Sequence, residues 1–166
     1  MHPTDELIPI LKKLRMSGVL NTLELRQNQA IEDNLSFSEF LYRLLSDEVE
    51  RREAKQLKLR LRRASFEYAK TIEDFEFTFN PQIPKSKIID LATCNFVVKS
   101  ENIGIIGPAG VGKSHIAQAL GHRACQAGYT VLYITAHRMF TELRAARADN
   151  SFDRKLARFS GPDLLI

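Results

Sequence analysis

The chain has 166 residues, enough for one sizeable core or for a small domain joined to part of another. Its apolar runs are far shorter than a bilayer requires, the opening MHPTDELIPI lacks the basic start and apolar centre of a secretory signal, and two distant cysteines, Cys94 and Cys125, provide neither a disulfide framework nor a zinc site. A net charge of +4 is compatible with nucleic acid without implying it, and the composition predicts a soluble, cytoplasmic protein.

From Asp5 to Lys70 the apolar residues recur at helical spacing. Leu7, Ile10, Leu11 and Leu14 form one stripe, closed by Gly18, and Leu20, Leu23 and Ile31 mark a second helix. In the third, Ser36 is the candidate N-cap with Glu39 three residues on, and Leu35 and Phe40 stand at the positions of a hydrophobic staple. Phe37, Phe40, Leu41, Leu44, Leu45 and Val49 then make one apolar face, expected to pack on the first two helices.

The third helix runs on into ERREAKQLKLRLRR, the densest positive stretch of the chain. Two readings stay open. One is a solvated helix supported by pairs such as Asp47 with Arg51 and Glu48 with Arg52. In the other, Arg51, Arg52, Lys55, Lys58 and Arg62 lie along a DNA phosphate backbone, where displaced counterions supply sequence-independent affinity.

The next segment, KTIEDFEFTFNPQIPKSKI, alternates Phe75, Phe77 and Phe79 with polar residues before Pro81 and Pro84 break any regular element. Acids surround these rings, so packing against a neighbouring domain is expected in place of base stacking. The predicted organisation is a helical domain over 1–70, a linker over 71–87 and a second domain over 88–166.

From Lys87 onward the predicted order is helix, strand, loop, helix, strand, helix and the start of a strand. NIGIIG and TVLYIT read as strands, and KSHIAQALGHRACQAG as an amphipathic helix ending at Gly128. Such alternation means an α/β fold with a parallel sheet. Between the first strand and that helix stands Gly107-Pro108-Ala109-Gly110-Val111-Gly112-Lys113-Ser114, which fits G-x-x-x-x-G-K-[ST] at every fixed position. Its glycines let successive amides turn toward phosphate oxygens at a helix N-terminus. Lys113 is placed for the β- and γ-phosphates of ATP, and Ser114 for Mg²⁺. His115 follows directly and belongs to the helix.

Taken together, LRMSGVLNTLELR, LSFSEFLYRLLSDEVERRE, KTIEDFEFTFNP, IIDLATCNFVVKSENIGIIGPAGVGKSH, AGYTVLYITA and PDLLI closely resemble the IstB-type helper ATPases of bacterial insertion sequences. These are relatives of DnaC-like helicase loaders within the AAA+ class. The resemblance implies a small N-terminal helical domain followed by a P-loop AAA+ parallel-sheet domain. It also implies assembly into oligomers on DNA and ATP-dependent stimulation of a partner transposase. By position, Gly107 to His115 would be the nucleotide loop, and PDLLI the lead-in to the Walker B acids. Cys94 stands where the family commonly has glycine. Arg144 and Arg147, within the second positive region from Arg138 to Arg158, would face nucleic acid by the same analogy, and a plain exposed helical face stays open beside that reading.

Hydrolysis needs more than a phosphate loop: an acid at the tip of a second strand, a water-positioning group and usually an arginine. The resemblance places these beyond Ile166, and Asp163 sits at the wrong end of its strand to serve. No catalytic residue is therefore assigned within the chain, which is expected to have little or no ATPase activity alone. The strand over 103–107 is expected to lack its sheet neighbours. A transposition helper, a helicase loader and a binding-only remnant are the readings carried forward.

Overall fold

The computed structural model describes residues 3–79 and 83–166. Pro81, and the side chain of Phe79, lie outside what is described. The fold is α/β, and the chain divides into two compact units, residues 1–56 and 57–166. The division falls inside a long helix, ahead of the boundary expected after residue 70, because Leu57, Leu61 and Ala64 pack into the core of the second unit.

The first unit is built from α1 (Pro3–Lys13), α2 (Ser17–Glu32) and the first part of α3 (Phe37–Ala64). In α1, Asp5 and Glu6 stand in the first turn and Lys12 and Lys13 in the last, the order that complements the helix dipole. The chain turns at Leu14–Met16 with Arg15 in the left-handed region at φ +56°. Gly18 therefore does not close α1. It lies in the first turn of α2, where a β-carbon would fall 2.8 Å from the Glu48 Cα and 2.9 Å from the Asp47 carbonyl oxygen. Only glycine lets α2 approach α3 this closely.

Ser36 caps α3 as expected, its Oγ accepting from the Glu39 amide at 3.2 Å. The apolar face assigned to this helix is split by the structure. Phe40 and Leu44 pack with Val19, Leu23, Leu11 and Met16, whereas Phe37, Leu41, Leu45 and Val49 are exposed. A 3.6-residue repeat puts Phe40, Leu44 and Glu48 on one side and Leu41, Leu45 and Val49 on the next, and the residues of α1, α2 and the turn between them cover only the first.

The second unit contains the end of α3, a 3-10 turn at Phe77–Phe79, α4 (Lys85–Leu91), α5 (Asn95–Val98), α6 (Lys113–Gln126), β1 (Val131–Leu132), α7 (Ala136–Ala148), α8 (Phe152–Ser160) and β2 (Leu164–Leu165). The two strands pair in parallel, Val131 with Leu164 and Leu132 with Leu165, and the Ile166 amide donates to the Leu132 carbonyl at 2.8 Å. One core gathers Ala64, Cys94, Ala124, Cys125 and Val131. Another joins Ile88, Ile116 and Leu120 to Ile72, Phe75, Phe77, Ile83 and Ile105. Phe75 and Phe77 are thus core side chains of this unit.

α6 ends two residues before Gly128, which takes φ +103° as the amide of Tyr129 reaches back to the Ala124 carbonyl. The strand expected over NIGIIG is not formed. Residues 101–108 carry no ladder pairing, and Ile106 is 97% exposed. A pocket of about 160 Å³ is lined by Ile103 and Ile105 of this segment together with Leu120, Leu164 and Leu165, and among the described residues the sheet consists of β1 and β2 alone. Among the described residues no helix is long and apolar enough to cross a membrane.

Candidate nucleotide-binding site

The phosphate-loop pattern lies where the extended segment meets α6. Gly110 takes φ +82° and Gly112 φ +93°, backbone conformations that side chains with a β-carbon rarely adopt. At Gly110 there is open space, so conformation alone requires glycine. At Gly112 there is also a neighbour: a β-carbon would lie 2.6 Å from Phe75 Cε2. Gly112 is the N-cap of α6 and brings no side-chain acceptor, so among the described residues the N-cap leaves the first-turn amides without a side-chain cap. The helix dipole adds positive potential at the same point.

Lys113 folds back over the loop, its Nζ donating to the Pro108 carbonyl at 2.5 Å. Ser114 is exposed on the first turn, its backbone carbonyl accepting from Gln118 Nε2 at 3.3 Å. Pro108, Ala109 and Gly110 are exposed and Val111, Gly112 and Lys113 half-buried, so one face of the loop is open to a ligand. His115 is turned elsewhere. With Nε2 protonated it donates to the Thr71 carbonyl at 2.9 Å, and its ring meets Phe75 edge-on at 5.0 Å.

Two contributors escaped the sequence reading. Gln118 is 3% exposed, and its Oε1 accepts from the amides of Glu67 at 3.0 Å and Tyr68 at 3.2 Å. Phe75 packs on the loop glycine itself. A glutamine on the apolar face of a helix, four residues past the loop serine, was the available signal for the first; nothing local signalled the second. Asp163, just before β2, is bonded to Thr130 at the start of β1, where both the amide and the hydroxyl donate to its Oδ2 at 2.7 Å.

The basic candidates divide between the units. In the first, Arg51, Arg52 and Lys55 line a groove of about 650 Å³ with Lys12, Arg15 and the apolar Leu11, Leu14 and Leu20. The expected Glu48–Arg52 pair is present at 2.6 Å, and Arg52 also reaches the Arg15 carbonyl. The expected Asp47–Arg51 pair is not. Asp47 is gripped by both arms of Arg26 at 2.6 and 2.8 Å, a fork geometry stronger than a single contact, and Arg51 bonds Ser17 instead. In the second unit Lys58 and Arg62 are exposed on α3, Arg144 is exposed on α7, and Arg147 lies over the Phe152 ring at 5.2 Å.

The glycine loop that matches G-x-x-x-x-G-K-[ST] thus lies at the N-terminus of a helix in an α/β unit with a parallel sheet. Residues 9–166 match the family IstB-like ATP binding protein. Over 156 residues the chain is 40% identical to a protein described as an ATP-binding protein in an insertion sequence of Mycobacterium tuberculosis, covering 94% of this chain and 62% of the relative. It is 37% identical over 161 residues to the corresponding protein of insertion sequence IS21 from Pseudomonas aeruginosa, covering 97% and 61%. To that of IS5376 from Geobacillus stearothermophilus it is 38% identical over 133 residues, covering 80% and 53%. The chain belongs to the IstB-like ATP-binding family, and spans between 53% and 62% of the length of these relatives.

Proposed function

We propose that the chain binds ATP with Mg²⁺ at Gly107–Ser114 and serves DNA transposition as an ATP-binding helper. The observation that carries this reading is the N-terminus of α6, where uncapped amides and the ammonium of Lys113 surround an open loop. A triphosphate bound there would accept from the amides of Gly110, Val111, Gly112 and Lys113. Lys113 would exchange the neutral Pro108 carbonyl for phosphate oxygens, a charge-assisted and therefore stronger bond. The exposed Ser114 hydroxyl fits a Mg²⁺ ligand, with water and phosphate oxygens supplying the other positions. Titration with ATP, ADP and AMP tests it. ATP and ADP should bind, AMP much more weakly, and Mg²⁺ should strengthen ATP; equal affinity for all three would refute a phosphate-directed site.

For the groove of the first unit we propose a DNA backbone, held without regard to sequence by Lys12, Arg15, Arg51, Arg52 and Lys55. A partner transposase and further copies of the chain complete the set of partners in this reading. Unrelated duplexes should bind with similar strength and weaken steeply as salt rises. A salt-independent affinity would remove the backbone reading.

A further inference from the structure

The segment that follows α3 lies along the phosphate-loop helix and touches it at regular steps. Phe66 packs on Gly121, where a β-carbon would lie 2.8 Å from its Cε1. The amides of Glu67 and Tyr68 are held by Gln118. The Thr71 carbonyl meets His115, and Phe75 meets Gly112. The contacts on α6 therefore fall at 121, 118, 115 and 112, three residues apart, while the segment advances from 66 to 75 in the opposite direction. Glu73 adds an ion pair with Arg123.

We propose that residues 66–75 are a strap that sets the conformation of the phosphate loop, with Phe75 as its positioning residue. The proposal rests on the nucleotide reading for its consequence but not for its geometry. Gly112 needs a left-handed backbone to turn the loop into α6, and the Phe75 ring occupies the side of Gly112 that any β-carbon would enter. The ring is itself held between His115 at 5.0 Å and Phe77 at 4.9 Å. His115 cannot swing toward the loop without giving up the Thr71 carbonyl. Gln118 closes the arrangement, since one carboxamide bonds both the strap and the Ser114 carbonyl. A ligand that orders the loop must then also order the strap, because coupling between two sites is reciprocal. Amides over 67–75 should exchange more slowly when nucleotide binds, although none of them belongs to the phosphate loop.

The test compares Phe75→Ala with Phe77→Ala in the full chain. Both remove a ring from the same core, but only Phe75 touches the loop. Hydrogen exchange is measured first without nucleotide. Phe75→Ala should speed exchange at residues 110–113 by about tenfold, with Phe75→Leu intermediate and Phe77→Ala, which removes one of the two rings that hold Phe75, well short of the Phe75→Ala effect. ATP affinity should follow the same order, about tenfold weaker for Phe75→Ala, as a smaller fraction of molecules holds the competent loop. Equal loop exchange in Phe75→Ala and wild type, or equal effects of the two alanine variants, would overturn the strap. Absence of ATP binding by the wild-type chain would instead defeat the nucleotide reading, and the exchange comparison would still decide the strap.

Discussion

Glu48 of α3 caps α2: its Oε2 accepts from the amides of Gly18 at 2.5 Å and Val19 at 3.3 Å. Its Oε1 accepts from Arg52 Nε at 2.6 Å, so a carboxylate only 4% exposed has partners on both oxygens. Burial alone would raise its pKa; the Arg52 bond, the two amides and the Arg52 charge outweigh burial and hold it below the usual carboxylate range. Replacing Glu48 by Ala strands two helix N-terminal amides and an arginine, at a cost of about 2 to 3 kcal/mol. Glu48→Gln, which keeps an acceptor, should lose roughly half of that, about 1 kcal/mol. Denaturant unfolding followed by helical circular dichroism measures both, and an unchanged midpoint for Glu48→Ala would contradict the capping role.

Acid should loosen the first unit through Asp47. The bonds from Arg26, ahead of any other cause, lower its pKa from 3.8 to about 2. A depressed carboxylate contributes stability that is fully present above the unfolded pKa and disappears as pH falls through the folded one. The expected loss therefore lies between pH 4 and 2, and Arg26→Ala should flatten it. Unfolding curves at pH 5, 3 and 2 for both chains check this. An identical pH slope in the variant would exclude the pair as its source.

How far the fold and site could be read from the sequence depended on whether the cause was local. The phosphate loop was legible because its residues do their work through backbone conformation and fixed spacing, and Gly110 and Gly112 take the left-handed angles the pattern requires. The Ser36 cap was legible for the same reason. Cys94, where the resemblance expects glycine, sits at φ +61°, a conformation glycine adopts freely. The pair of Glu48 with Arg52 was legible from its spacing, but the capping of α2 by Glu48 was not, because only the approach of α2 at Gly18 buries this acid. The apolar face of α3 misled because periodicity shows which residues share a side, not how much of it a neighbour covers. NIGIIG has strand composition, but a strand exists only when a partner backbone lies alongside.

Asp163 is a structural latch between the starts of β1 and β2. The Thr130 amide and then its hydroxyl hold this carboxylate below its ordinary pKa. Asp163→Ala should lower stability by about 1 to 2 kcal/mol. ATP affinity in Mg²⁺ should remain at the wild-type value; a large loss limited to Mg²⁺-containing buffer would make Asp163 part of the metal site.

Both thiols should be inert in the native chain. Cys94 and Cys125 are 1% and 0% exposed, and burial raises both pKa values, Cys125 to about 11. Since the thiolate is the reactive form, a thiol-disulfide reagent at pH 8 should titrate neither residue until denaturant is added. Rapid labelling of the native chain would show that this core opens.

The most direct test of the nucleotide site is the affinity of ATP for the wild-type chain and for Lys113→Ala, with melting temperatures measured alongside. Among the described residues the Lys113 ammonium makes one bond, to the Pro108 carbonyl of its own loop, so the variant should fold with nearly wild-type stability. Binding should fall by about a hundredfold, the cost of losing a charged donor to phosphate. Two equally stable chains with equal ATP affinity would contradict the assignment of this loop as the site.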